Sequence, residues 1–240
     1  MKNTGRGRTA TRREALALLG AAGAALAAGC GSDTTASPDA TGTSTTTTTG
    51  TGGACAPAPN ETVGPYPSLT DLVRSDIREG RTGLPVVLTL TVVNANSNCS
   101  AVSGATVEIW QCDADGHYSQ YAQGGYDGRS QTFLRGLQTT DGAGRVTFTT
   151  VYPGWYAGRA THIHVEVTVG GRSVKVTQIA FPEDVNAAVY ASGQYAARGR
   201  NPTSNARDMV FSDSLASELA TVSGNTTSGY TALFTVGISI

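Results

Sequence analysis

Leu84-Pro85-Val86-Val87-Leu88-Thr89-Leu90-Thr91-Val92-Val93-Asn94 is the stretch that decides the fold class. Successive side chains of an extended chain point to opposite faces, so Val86, Leu88, Leu90 and Val92 form one apolar face. A loop from Ala95 to Ser103 follows, then a second apolar run from Ala105 to Cys112, and the two runs together read as a hairpin. Further strands are expected at Arg145 to Val151, Thr161 to Val169, Ser173 to Phe181 and Tyr230 to Ile240. In the last of these Tyr230, Ala232, Phe234, Val236 and Ile238 share a face. Turn signals such as Asp141-Gly142 and Gly170-Gly171 separate the runs, and no comparable helical periodicity is present. The expected architecture is therefore mainly β, a two-sheet β-sandwich with long loops and a Thr-rich N-terminal tether. Residues 182–229 are rich in Ala, Ser and Asn, with one short helix expected around Asp184 to Ala191. Segments of this length often cover a site.

The chain has 240 residues, 39% hydrophobic and 15% charged, which suffices for a substantial core and excludes disorder throughout. Its formal net charge of -1 provides no basic surface for nucleic acid. Residues 1–29 read as an export signal of the twin-arginine type: Lys2, Arg6 and Arg8, the pair Arg12-Arg13, then an uncharged run from Ala15 to Ala28. That run is too short to span a bilayer permanently. Leu26-Ala27-Ala28-Gly29-Cys30 resembles a lipoprotein processing site, so Cys30 is the expected lipidation position and a lipid anchor the only expected membrane contact. Residues 31 to 54 hold ten threonines and almost nothing apolar, so residues 30–54 are expected to be a disordered linker. The folded domain is expected over 55–240, exported and held at the outer face of the cell membrane or released.

Three histidines occur in the whole chain, His117, His162 and His164. Within Thr161-His162-Ile163-His164-Val165-Glu166-Val167 the two imidazoles share one face of a strand, while Ile163, Val165, Val167 and Val169 take the other. Two imidazoles so placed can share a metal ion, although solvated strand histidines would show the same spacing. Upstream, Tyr152-Pro153-Gly154-Trp155-Tyr156-Ala157-Gly158-Arg159 is a turn carrying aromatic rings that are costly to leave in water. Asp113-Ala114-Asp115-Gly116-His117-Tyr118-Ser119 is a second such turn.

Taken in order, these motifs resemble the intradiol ring-cleavage dioxygenases, relatives of catechol and protocatechuate dioxygenases, and their secreted bacterial branch in particular. The resemblance covers roughly Cys55 to Phe181. It includes Thr62-Val63-Gly64-Pro65-Tyr66-Pro67, Arg74 to Gly80, Val107 to Ser119, Tyr152 to Tyr156 and Arg159 to His164. It implies a mononuclear non-haem Fe(III), with Tyr118 and His162 as equatorial ligands and Tyr156 and His164 as axial ones. Hard phenolate donors suit ferric iron, whereas zinc more often takes cysteine or carboxylate. Arg159 matches an arginine that stabilises charge developing on the substrate ring, and Gln178 a supporting glutamine. Tyr156 doubles as proton acceptor, so the implied catalytic set is Tyr156, Arg159 and Gln178. His117, as the immediate neighbour of Tyr118, is left out of the metal set.

The implied reaction is cleavage of a catechol-type ring by O2 to a cis,cis-muconate-type product. The cytoplasmic catabolic members carry a longer insertion between the second tyrosine and the first histidine. Only five residues separate Tyr156 from His162 here, which implies a more open mouth. The contrasting possibility is a non-catalytic surface lipoprotein, a β-sandwich binding a ligand or partner. Loss of one of the four ligands would favour it, and all four are present. Cys99 and Cys112 are separated by a strand too long for a disulfide. Secreted relatives with cysteines before the Gly-Pro-Tyr motif and in the 95–103 loop imply a Cys55 to Cys99 bridge, leaving Cys112 as a buried thiol near Tyr118.

Overall fold

The computed structural model describes residues 55–240, so the expected export signal, the expected lipidation position Cys30 and the expected 30–54 linker lie outside the described residues. Eleven strands are present among the described residues, and they form three sheets. The first sheet centres on β1 (Pro85–Asn94), which pairs in parallel with β11 (Gly229–Ile238) along a register running from Val86 opposite Tyr230 to Asn94 opposite Ile238. β7 (Arg145–Val151) pairs antiparallel with β1, as does the short β2 (Ser100–Ala101) at its end, and β10 (Thr221–Asn225) extends the sheet beyond β11. The second sheet is antiparallel, in the order β6 (Arg135–Thr139), β3 (Thr106–Trp110), β8 (His162–Val169), β9 (Arg172–Ala180). The third is a ribbon of two-residue strands, β4 (Ala122–Gln123) and β5 (Tyr126–Asp127). The two larger sheets make an open, sandwich-like arrangement, and the ribbon is an addition that the two-sheet expectation did not contain.

The alternation read from β1 builds the core. Val86, Leu88, Leu90 and Val92 are fully buried, and they share one apolar cluster with Val107 and Ile109 of β3, Ile163, Val165 and Val167 of β8, and Ala232 and Val236 of β11. Each such side chain contributes about 1.5–3 kcal/mol on leaving water. The expected hairpin between the first two apolar runs does not form. β1 is flanked by β11 on one edge and by β7 and β2 along its length, so β3 has no edge to join and crosses to the second sheet. A neighbour remote in sequence, β11, has displaced the neighbour expected from proximity.

The 182–229 segment contains helix α1 (Glu183–Tyr190), helix α2 (Leu215–Glu218) and 3-10 turns at Gly193–Ala197 and Asn205–Arg207. Val189, Tyr190, Tyr195 and Phe211 of this segment are buried. No helix among the described residues is long and apolar enough to cross a membrane.

A disulfide joins Cys55 to Cys99, with 5.2 Å between Cα atoms, and Cys112 is a free, buried thiol packed with Trp110 and Tyr118. Because the bridge closes a loop of 44 residues, reduction or the Cys55→Ala/Cys99→Ala pair should lower stability by about 2–4 kcal/mol, chiefly by freeing the unfolded chain. Equilibrium denaturation with and without reductant measures it; an unchanged midpoint would contradict that role.

Candidate metal centre

β8 supplies the centre of the site because both faces of its first four residues are buried. His162 and His164 are 3% and 1% exposed on one face, and Ile163 and Val165 are fully buried on the other. His162 Nδ1 lies 2.6 Å from the carbonyl oxygen of Ala160, which only accepts, so Nδ1 carries the proton and Nε2 presents a lone pair. That Nε2 is 3.2 Å from Nε2 of His164 and 3.4 Å from the hydroxyl of Tyr156. Burial, assisted by Arg159, pushes the His162 pKa down to about 3. Burial and then the neighbouring His162 and Arg159 hold His164 well below the ordinary value as well. Both imidazoles are therefore neutral, the state in which histidine binds metal.

Two turns bring the tyrosines to these imidazoles. Tyr118 is fully buried, its ring 5.8 Å from that of Tyr156 and 6.5 Å from that of His164. Its hydroxyl has no hydrogen-bond partner among the described residues. Burial raises its pKa well above the usual phenol range, and it pushes half-buried Tyr156 up to about 12 against the pull of Arg159. Gly154 lets the two turns meet: a Cβ there would lie 2.4 Å from the Asp113 carbonyl oxygen, to which the Gly154 N–H donates at 3.0 Å.

Aromatic rings wall the site. Trp110 stacks on His164 with centroids 4.9 Å apart and planes 3° apart, and Tyr66 stacks on Tyr118 at 4.8 Å. Gly64, at φ +71°, explains the Gly-Pro-Tyr motif, because a Cβ at that position would sit 2.9 Å from Cε1 of His164. Four groups able to bind a metal thus lie together: the Nε2 atoms of two imidazoles, one orphaned phenol and one half-buried phenol. The Tyr118 hydroxyl is the one left without a partner, and phenol oxygens suit a hard, trivalent cation.

A second group also has the reach to hold a metal ion. Asp113, Asp115 and His117 each offer one ligand atom, all within 4.8 Å of one another. Here the Asp113 carboxylate is already engaged, since Oδ1 accepts from the N–H groups of Asp115 and His117 at 3.0 and 2.9 Å. His117 stacks on Tyr126 at 4.2 Å.

The family model described as Dioxygenase matches residues 62–199, more than half of the chain. The structure resembles an intradiol ring-cleavage dioxygenase from Tetranychus urticae at 29% identity and TM-score 0.70, covering 77% of this chain and 95% of that one. A second dioxygenase structure matches at 30% identity and TM-score 0.70 over the same shares of the two chains. This chain belongs to the intradiol ring-cleavage dioxygenase superfamily. Within that superfamily it is also similar to the dioxygenase domain of a dioxygenase and carbohydrate-binding protein fusion from Streptomyces sp. SirexAA-E, at 26% identity and TM-score 0.58, covering 77% of this chain and 99% of that domain.

Arg159 is buried in this dioxygenase-family site, with Nη2 donating to Gln178 Oε1 at 2.6 Å while the Gln178 amide donates to the Thr62 carbonyl at 3.0 Å. Its other partner is one that sequence reading missed. Arg159 Nε donates to Asp208 Oδ2 at 2.9 Å, and the same fully buried carboxylate accepts from the N–H groups of Ala160 and Val210. Nothing around Asp208 in the aperiodic 182–229 segment distinguishes it; only the need of a buried guanidinium for a counter-ion could have pointed to it.

Burial alone would raise the Asp208 carboxyl, but Arg159 and the N–H groups outweigh it and hold the pKa below the ordinary value. Asp208→Asn should cost about 3 kcal/mol near neutral pH by leaving Arg159 unpaired. A depressed carboxyl contributes fully above the unfolded value of about 4 and loses its contribution as pH falls through the folded value. The wild-type advantage over Asp208→Asn in denaturation midpoint should therefore shrink below about pH 4. A gap that stays constant with pH would contradict the ion pair.

Proposed function

We propose that this chain is an extracytoplasmic non-haem Fe(III) intradiol dioxygenase that cleaves catechol-type rings with O2 to cis,cis-muconate-type products. The observation that carries the reading is the convergence of the His162 and His164 Nε2 atoms with two phenols, one of which, Tyr118, is buried without a partner. Tyr118, Tyr156, His162 and His164 would hold the iron, which when bound supplies a Lewis acid and a template for the substrate oxygens. Tyr156 is the ligand fitted to exchange a proton, because it is the half-buried one of the two phenols and its hydroxyl already lies beside His162 Nε2. Arg159, held by Asp208 and Gln178, presents a fixed positive charge close to Tyr156, where negative charge would develop on a bound ring. Tyr66 and Trp110 exclude water from Tyr118 and His164.

The remaining assignments rest on the sequence. Residues 1–29 are proposed to export the protein by the twin-arginine route and residues 30–54 to tether it. Cys30 would carry lipid, and 55–240 would form the catalytic domain of a secreted bacterial member. If so, Cys30→Ala should release the domain from membranes with ring cleavage intact; undiminished membrane retention would contradict the anchor.

Oxygen uptake with catechol is the test of activity. His162→Ala and His164→Ala should lose iron and turnover together, since no neighbouring histidine replaces either donor. Arg159→Ala should keep its iron yet lose kcat by about two to three orders of magnitude, the scale for one preorganised charge stabiliser. An iron-loaded wild-type protein that consumes no O2 with any catechol would instead support a non-catalytic binding domain.

A further inference from the structure

Arg135, the first residue of β6, is 0% exposed, and no carboxylate among the described residues forms an ion pair with it. Its donors reach neutral acceptors only. Nε donates to the Ser119 hydroxyl at 3.0 Å, Nη2 to the Ser119 carbonyl at 2.7 Å, and Nη1 to the Tyr66 carbonyl at 2.9 Å and the Ser68 hydroxyl at 3.5 Å. The guanidinium lies against two rings, with its carbon 5.8 Å from the centroid of Tyr118 and 5.5 Å from that of Tyr121. Burial lowers its pKa to about 10, so it remains charged at neutral pH.

The Glu108 carboxylate acts on this charge without a direct ion pair, and burial raises the Glu108 pKa, so the cation is only partly compensated, a costly arrangement unless a further negative charge arrives. The candidate for that charge is beside it. Tyr118 is buried, its hydroxyl unpartnered, and Ser119, which follows it in the chain, accepts two of the Arg135 bonds. We propose that Arg135 is the fixed counter-charge of the Tyr118 phenolate, a positioning residue that clamps the Ser119 and Tyr66 carbonyls around that ring and lowers the donor strength of its oxygen toward the metal. The proposal rests on Tyr118 being an Fe(III) ligand. It differs from the role of Arg159, which lies beside Tyr156 and is paired with Asp208.

A cation beside a phenolate stabilises the filled orbital from which ligand-to-metal charge transfer starts, and so raises the transition energy. The experiment compares iron per chain, absorption maximum and thermal midpoint in the iron-loaded wild type, Arg135→Gln and Arg135→Lys. Arg135→Gln should keep iron while its charge-transfer band moves to longer wavelength. Arg135→Lys, which keeps the charge but loses the planar fork, should return the band to the wild-type position even where its thermal midpoint falls. An iron-replete Arg135→Gln with an unmoved band overturns the proposal. So does an Arg135→Lys band displaced as far as that of Arg135→Gln, because a purely structural clamp treats the two alike. If Arg135→Gln does not fold, the band of Arg135→Lys decides: the wild-type position supports the proposal and a displaced one overturns it. A wild-type protein with neither iron nor band overturns the ligand assignment itself, and the proposal with it.

Discussion

The structure depends on one constraint: the first half of β8, His162 to Val165, is buried on both faces. On an ordinary sandwich strand one face meets the core and the other meets water, and the alternation separates apolar from polar residues. In β8 the aliphatic face of Ile163, Val165 and Val167 locks into the core between the sheets, and this fixes the strand's register. The opposite face must then hold His162 and His164 away from water, where each needs a partner. A shift of one residue would exchange the two faces, so the packing that stabilises the domain also aims the imidazoles.

The other parts of the site complete that face. Trp110 stacks on His164 from β3, the neighbour of β8, at the register pair joining those two residues. Tyr118 follows β3 by a turn and Tyr156 precedes β8 by another, and Gly154 allows the two turns to touch. Gln178 stands opposite His164 on β9. Charge follows the same geometry. Arg159 is matched by the Asp208 carboxylate, while Arg135 has neutral hydrogen-bond acceptors and aromatic rings around it, with the Glu108 carboxylate acting on it beyond ion-pair distance. Two buried guanidinium groups thus flank a cluster whose oxygens would be anionic with metal bound.

What was legible in the sequence followed strict periodicity. The strands at β1, β7, β8, β9 and β11 were readable because alternation is local, as was a short helix close to Glu183–Tyr190. Pairing was not readable: β1 prefers β11, some 140 residues away, and no local signal records it. β6 was missed because Arg135-Gly136-Leu137-Gln138-Thr139 places a charged residue at a buried position and a glycine beside it. The His-x-His pair and the aromatic turns stood out because imidazole is scarce in this chain. Asp208 and Arg135 did not, since their importance lies in partners 49 and 16 residues distant.

The central claim is that the metal of this protein sits among Tyr118, Tyr156, His162 and His164, although Asp113, Asp115 and His117 also have the reach to bind one. An anomalous difference map from crystals of iron-loaded protein, collected on either side of the iron absorption edge, separates the two. The account predicts a single strong peak within bonding distance of both phenol oxygens and both Nε2 atoms. A peak beside Asp113 and His117, or iron-replete crystals with no peak on the β8 face, would contradict it.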